Sequence, residues 1–214
     1  MKRREFAIAA SVGLMGVPPS MVLAQARKPD AGADFLVLDK KAPVESAPGK
    51  IEVVEFFWYK CPHCNAFEPA LESWIKRLPA DVTLRRVPVG FRDDFVPLQR
   101  LFYALEVMGQ LDKLHARVFA AIHVQKKQLD TGPQIASWMA DQGVDQAKFM
   151  EQYNSFSVST KVTKATQLQN LYRVEGVPAL GVAGRFYTDG TLSKNMERAL
   201  QTVDFLIGEV RANR

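Results

Sequence analysis

Both cysteines of the chain fall in one short stretch, EFFWYKCPHCNAFEP, as Cys61-Pro62-His63-Cys64. A pair at this spacing can be a structural staple, part of a metal site or a redox couple. The staple is the weakest of these. A ring closed over so few residues barely constrains the unfolded chain, and 214 residues bury a core that needs no staple. A structural zinc needs four ligands. Beyond the cysteines there are only His63 between them, and His115 and His123, whose separation does not match the short spacing of paired zinc histidines. We therefore expect no metal.

Redox chemistry fits best. Pro62 suits the first position of a helix, where its missing N–H costs nothing. That puts Cys61 at the helix N-terminus and Cys64 one turn inside, on the same face. The thiolate is the attacking species in disulfide exchange, and a helix N-terminus stabilises negative charge. Cys61 is the expected nucleophile, with His63 tuning it and Lys60 read as a solvated charge. Cys64, facing the core, is the expected resolving thiol. A stabilised thiolate favours the dithiol and makes the disulfide a better oxidant. A Cys61 pKa of ~4 against a reference of ~8.5 corresponds to roughly 4 kcal/mol at pH 7, on the order of 90 mV.

The elements that must hold this pair can be read on either side of it. Residues 51–58, IEVVEFFW, are β-branched and aromatic, the pattern of a buried central strand, with Glu55 interrupting it. After Pro62, Cys64, Phe67, Leu71, Trp74, Ile75 and Leu78 recur at threes and fours, an apolar helical stripe. Pro69 falls inside that helix and is expected to kink it. Residues 82–89 read as another strand. From about 95 to 171 the period is helical throughout. Pro133 opens one helix of this block and Asp145 caps another. Strand signals return at 179–183 and 185–188 around a turn at Gly184, a hairpin. Ser193 is the expected cap of a last helix. The order is that of an α/β sheet domain interrupted by a helical insertion.

The chain begins with MKRREF, then an apolar run, then Ala24 and Ala26 at an A-x-A site. That is the pattern of a cleaved export signal over residues 1–26, and both the general secretory and the twin-arginine routes fit it. Its removal takes away three basic and one acidic residue and lowers the net charge from +5 to +3. No basic run accompanies that small excess, so nucleic acid is not an expected partner. Outside the cytoplasm a CxxC pair can rest as a disulfide.

CPHC directly after the strand ValGluPhePhe resembles the DsbA family of thiol:disulfide oxidoreductases, and the order of elements over most of the mature chain is similar as well. The resemblance implies an α/β, thioredoxin-like fold with an inserted all-helical domain: residues 27–94 and 171–214 form the thioredoxin-like domain, 95–170 the insertion. It implies that Pro178 is cis beside the cysteine pair and that the Val177 backbone pairs with an extended substrate peptide. It matches Glu55, six residues before Cys61, to a buried acid. A lone carboxylate in an apolar strand is costly, so a proton-transfer or pKa-tuning role is expected, with Arg86 on the next strand as a candidate partner. Pro69 matches a structural proline. His115, His123 and the Met and Trp residues are assigned to packing or surface.

The expected protein is thus a periplasmic oxidase that passes the Cys61–Cys64 disulfide to reduced, unfolded exported polypeptides, with no cofactor. The resemblance further implies reoxidation by a membrane quinone-linked partner of the DsbB type, and a monomer. A reductase or isomerase of the same fold is one rival. Such isomerases usually carry an extra dimerisation domain, for which there is no room before Ile51. An exported peptide-binding chaperone module with incidental cysteines is the other.

Overall fold

The computed structural model describes residues 27–213, so the expected export signal, residues 1–26, lies outside the described residues. Strand β2 (Ile51–Phe57) is buried along its whole length. Its side chains alternate between two cores: Ile51 and Val53 enter one, Val54 and Phe56 the other. Coverage on both faces explains why the stretch is nearly continuous in apolar residues. β2 pairs in parallel with β3 (Val82–Pro88) and antiparallel with β4 (Ala179–Val182). β4 pairs antiparallel with β5 (Phe186–Asp189), and β5 with the short β1 (Leu36–Val37). The sheet order is β1-β5-β4-β2-β3, which sets β2 between β4 and β3.

Helices α1 (Pro62–Ile75) and α7 (Met196–Ala212) cover one face. Phe67, Leu71 and Trp74 of α1 share a core with Val203, Leu206 and Ile207 of α7. The indole N–H of Trp74 donates to Asp204 Oδ1 at 2.7 Å, tying the two helices together. α1 is continuous through Pro69. The other face carries α2 (Val96–Val107), α3 (Leu111–His123), α4 (Gly132–Asp141), α5 (Gln146–Tyr153) and α6 (Phe156–Leu171), all between β3 and β4. Their starts follow ordinary capping chemistry. Thr131 and Gln134 form a capping box, Asp145 accepts from the Lys148 N–H, and Ser155 from that of Val158. Among the described residues no helix is long and apolar enough to cross a membrane.

The last helix corrects one expectation. Its cap is Asn195, whose side chain accepts from the Arg198 N–H, rather than Ser193. Ser193 points inward, where its hydroxyl meets the Asp34 carbonyl at 3.1 Å and Thr188 Oγ1 at 2.9 Å. A buried hydroxyl needs those partners and leaves the cap to the next suitable side chain.

Tyr172, directly after α6, pins the helical block to the returning hairpin. Its ring packs on Phe56, with centroids 5.1 Å apart, and its hydroxyl accepts from the Gly184 N–H at 3.1 Å. Gly184 sits at φ +69°, and a Cβ there would stand 2.2 Å from the Ala42 carbonyl oxygen. At Gly181 a Cβ would stand 2.3 Å from Tyr172 Cε1. Neither the Tyr172 ring nor the Ala42 backbone can yield that space cheaply in a packed interior. Gly181→Ala is therefore expected to destabilise the fold by about 1–3 kcal/mol, read as a lower urea midpoint at unchanged slope. An unchanged midpoint would show that the Tyr172 contact is not tight.

Candidate active site

β2 ends at Phe57 and the chain turns through Trp58, Tyr59 and Lys60 into α1. The Cys61 N–H donates to the Trp58 carbonyl at 2.9 Å, which closes the turn. Cys61 is the N-cap of α1, with extended backbone (φ −74°, ψ 118°), and Pro62 follows in the first turn. The Cys64 N–H donates to Cys61 Sγ at 3.4 Å. A sulfur thus stands where a capping oxygen usually does, accepting from an otherwise unpaired helix-terminal N–H. On its other side, Cys61 Sγ lies 3.3 Å from the Val177 carbonyl oxygen, and the Val177–Pro178 peptide bond is cis. Both cysteines are free thiols; Cys64 is fully buried and Cys61 is 8% exposed.

These surroundings separate the two thiols. The Cys61 pKa falls to about 6. The largest cause is the hydrogen bond from the Cys64 thiol; the backbone N–H groups of Cys64 and His63 and the charge of His63 add to it, against the cost of burial. The Cys64 thiol is pushed far above its ordinary value by burial first, then by its hydrogen bond to Cys61 and the negative charge that Cys61 acquires. Near neutral pH the pair therefore holds one proton, on Cys64.

Behind Cys64, under α1, lies a buried cluster of charges. Glu55 is fully buried, and Arg86 Nε donates to its Oε2 at 3.1 Å. Arg86 also donates through Nη2 to Glu72 Oε1 at 2.6 Å and lies 3.7 Å from Glu68 Oε2. His115 Nε2 lies 3.5 Å from Glu68, while its Nδ1 is 2.8 Å from the Tyr59 hydroxyl. Three carboxylates share one guanidinium, so one of them favours its neutral form. That is Glu55: burial and then the charge of Glu68 push its pKa up to about 8, although Arg86 pulls the other way. Burial holds the His115 pKa below its ordinary value. His123 is bonded to the Tyr59 carbonyl at 2.8 Å, and Lys60 pairs with Asp130.

The structure thus places Cys61, Pro62, His63 and Cys64 at one helix start, Val177 and Pro178 against Cys61, and Glu55 behind Cys64. Glu68, Tyr59 and His115 were missed by the sequence reading. Glu68 had a signal: it follows Cys64 by four residues, one helical turn. Tyr59 adjoins the motif with nothing in its type to mark it. His115 comes from a helix of the insertion, and no spacing rule links it to the motif.

A dithiol at the start of a helix that follows a central strand, faced by a cis-proline loop from the neighbouring strand, defines a thioredoxin-fold redox protein. The comparisons narrow the class. Residues 52–201 match the family model described as a DSBA-like thioredoxin domain. The chain is 41% identical to the thiol:disulfide interchange protein DsbA of Burkholderia cepacia over 92% of this chain and 93% of that protein. It is 42% identical to the Pseudomonas aeruginosa protein of the same name over 88% and 89%. Among solved structures, that of Pseudomonas aeruginosa DsbA aligns with a TM-score of 0.81 at 41% identity, covering 86% of this chain and 95% of that one. DsbA from Xylella fastidiosa aligns at 0.82 and 30% identity, covering 87% and 100%. The chain belongs to the DsbA-like thioredoxin family, with the thioredoxin-like fold and helical insertion that the motif and element order imply.

The Glu55 shift has a consequence for stability. Glu55 keeps its proton in the folded state up to about pH 8, whereas an unfolded glutamate loses it near 4.3. Between these limits the folded state binds more protons, so stability falls as pH rises. Glu55→Gln is expected to remove that slope, on the order of a few kcal/mol across the window. The check is urea unfolding of the disulfide-bonded protein, in which Cys61 does not titrate, at several pH values between 4.5 and 8. Parallel pH profiles for the two proteins would contradict the assignment.

Proposed function

We propose that the protein is a periplasmic dithiol oxidase that donates its Cys61–Cys64 disulfide to reduced, unfolded exported polypeptides. The observation that carries this reading is the split between the two thiols: Cys61 lowered to about 6, Cys64 raised far above its ordinary value. At pH 7 the ionisation of Cys61 from a reference of 9.0 to about 6 favours the dithiol by roughly 1.4 kcal/mol, on the order of 30 mV toward oxidising character. That is a third of the value that a pKa of ~4 gives, and it has the same sign. The buried Cys64 adds nothing to this, because it is protonated in both the folded and the unfolded dithiol at that pH.

The chemistry follows from the geometry. A substrate thiolate attacks Cys61 Sγ, the S–S bond to Cys64 breaks, and a mixed disulfide forms at Cys61. Cys64 leaves with the electron pair and must take a proton at once. Glu55, neutral up to about pH 8 and electrostatically coupled to Cys64, is suited to supply it. A second substrate thiolate then attacks the substrate's own sulfur in the mixed disulfide, and Cys61 departs as a thiolate. The substrate loses two electrons and two protons. One proton ends on Cys64 by way of Glu55, which regains a proton from solvent, and the other remains in solvent. The Val177 backbone beside Cys61 is placed to pair with the extended substrate chain, with Pro178 fixing that loop. His63 tunes Cys61 through its backbone N–H and its charge.

Reoxidation by a membrane quinone-linked protein of the DsbB type would return the dithiol to the disulfide, and action as a monomer completes the reading. The disulfide-exchange core of the reading is supported by relatives named thiol:disulfide interchange proteins that span nearly the whole chain. The test is oxidation of a reduced, denatured polypeptide by the disulfide form. Cys61→Ser is expected to abolish disulfide transfer. Cys64→Ser, with Cys61 first loaded as a mixed disulfide with 5-thio-2-nitrobenzoate, is expected to release that small thiol to a single-cysteine polypeptide and accumulate the protein–polypeptide mixed disulfide, visible as a higher-mass species sensitive to reductant. Turnover that survives Cys61→Ser would instead indicate a peptide-binding module.

A further inference from the structure

A cavity of about 480 Å³ opens beside the cysteine pair, walled by His63, Val177, Pro178, Asp189, Lys194 and Met196 among others. Val177 is the residue whose carbonyl oxygen lies 3.3 Å from Cys61 Sγ. A polypeptide whose cysteine reaches Cys61 must therefore lay neighbouring residues along this wall. In an extended chain the residues two before and two after the cysteine share its face, so their side chains are the ones presented to the cavity.

The wall carries one carboxylate and one ammonium, and the two are differently engaged. Asp189 is its one carboxylate, and that group is already committed. Oδ1 accepts from the N–H groups of Thr191 and Leu192 at 2.9 and 2.8 Å, and Oδ2 from the Tyr187 hydroxyl at 2.8 Å. Lys194 is exposed, and its ammonium has no ion-pair partner among the described residues. Lys60, the other lysine near the motif, is by contrast paired with Asp130. Glu175 and Glu197 are close in sequence but line no part of the cavity; Glu197 and Lys194 both line the neighbouring pocket, without an ion pair between them. Away from this wall, beside the start of the motif, the half-buried Trp58 stacks on the buried Phe95 with centroids 4.0 Å apart. Beside His63, the cavity thus offers an ammonium that no carboxylate pairs with, Lys194, to whatever occupies it.

We infer that this cavity selects polypeptide segments carrying a carboxylate within two positions of the reactive cysteine, and that Lys194 is the residue that sets the preference. The inference rests on the oxidase reading above and names its substrate class. A half-exposed ion pair is worth a modest factor, so the expected preference for a glutamate-bearing over a lysine-bearing segment is roughly two- to fivefold. It is screened by salt.

The experiment measures kcat/KM for oxidation of short dithiol peptides by the disulfide form. The peptides are amidated and differ only in Glu, Gln or Lys two positions from the attacking cysteine. One further peptide lacks Glu and ends in a free carboxylate at that position. Ratios between peptides within one protein cancel any general loss of activity. In the unaltered protein Glu should exceed Gln and Gln exceed Lys at low salt, with the ratios approaching one in 1 M salt. Lys194→Gln should flatten the order and Lys194→Glu invert it. Lys76→Glu, a charge change at the far end of α1, should leave the ratios where they were. Preference for the internal Glu identifies a side-chain carboxylate as the feature read, whereas preference for the free carboxyl end identifies a chain terminus. Equal rates for all peptides, an order untouched by Lys194→Glu, or an equal shift with Lys76→Glu would overturn the inference. Failure to oxidise any peptide, or dithiothreitol, would instead refute the oxidase reading itself.

Discussion

The site depends on where one negative charge can reside. Cys61 Sγ sits at the cap of α1 and accepts from the Cys64 backbone N–H, while the Cys64 thiol donates its own proton toward it. Cys64, buried against the sheet, cannot carry a charge there itself. The same short ring of atoms therefore makes one sulfur a stable thiolate and a good leaving group, and the other a poor one that must be protonated as it leaves. That asymmetry decides which cysteine meets substrate. It also decides that the reduced form is the one favoured by ionisation.

The rest of the fold keeps this arrangement in place. β2 delivers the motif at the edge of a core closed on both faces, and the Trp58 carbonyl fixes the entry to α1. The hairpin of β4 and β5 brings Val177 and Pro178 against Cys61, and Tyr172 holds that hairpin to the helical block through Gly181 and Gly184. The buried cluster of Glu55, Arg86, Glu68 and His115 costs desolvation that apolar residues would avoid. In the proposed cycle it supplies a protonated acid, Glu55, to the Cys64 thiol, which needs a proton during one step. Arg86 keeps the cluster from carrying the charge of three unscreened carboxylates.

Much of this was legible in the sequence because it is local. Pro62 after Cys61, and a stripe from Cys64 through Phe67 to Trp74, mark the helix start and its buried face without any tertiary information. The apolar run around Glu55 marks a central strand and makes its one acid conspicuous. The helical block was readable from period alone, and so was the hairpin. What escaped depends on contacts between distant segments. His115 meets Glu68 and Tyr59 only because α3 packs across α1. Ser193 and Asn195 are both good caps, and burial of the Ser193 hydroxyl against Asp34 and Thr188 decides between them. The size of the Cys61 shift also lay beyond the motif, since the cost of burying the sulfur opposes the helix end. Lys194 stands out only through the cavity it lines beside the cysteine pair and the hydrogen bonds already made by Asp189.

The central claim is that the reduced pair holds a single proton at neutral pH. The most direct measurement is the reduction potential of the Cys61–Cys64 couple as a function of pH, from equilibration in glutathione buffers with alkylation to count thiols. A couple that takes up one proton with its two electrons falls by about 30 mV per pH unit. With Cys61 titrating at about 6, that slope should hold from just above pH 6.5 upward, steepening toward about 60 mV per unit below pH 6. A slope of about 60 mV per unit through pH 7 to 8 would mean that both thiols are protonated there, and the account of the site would be wrong.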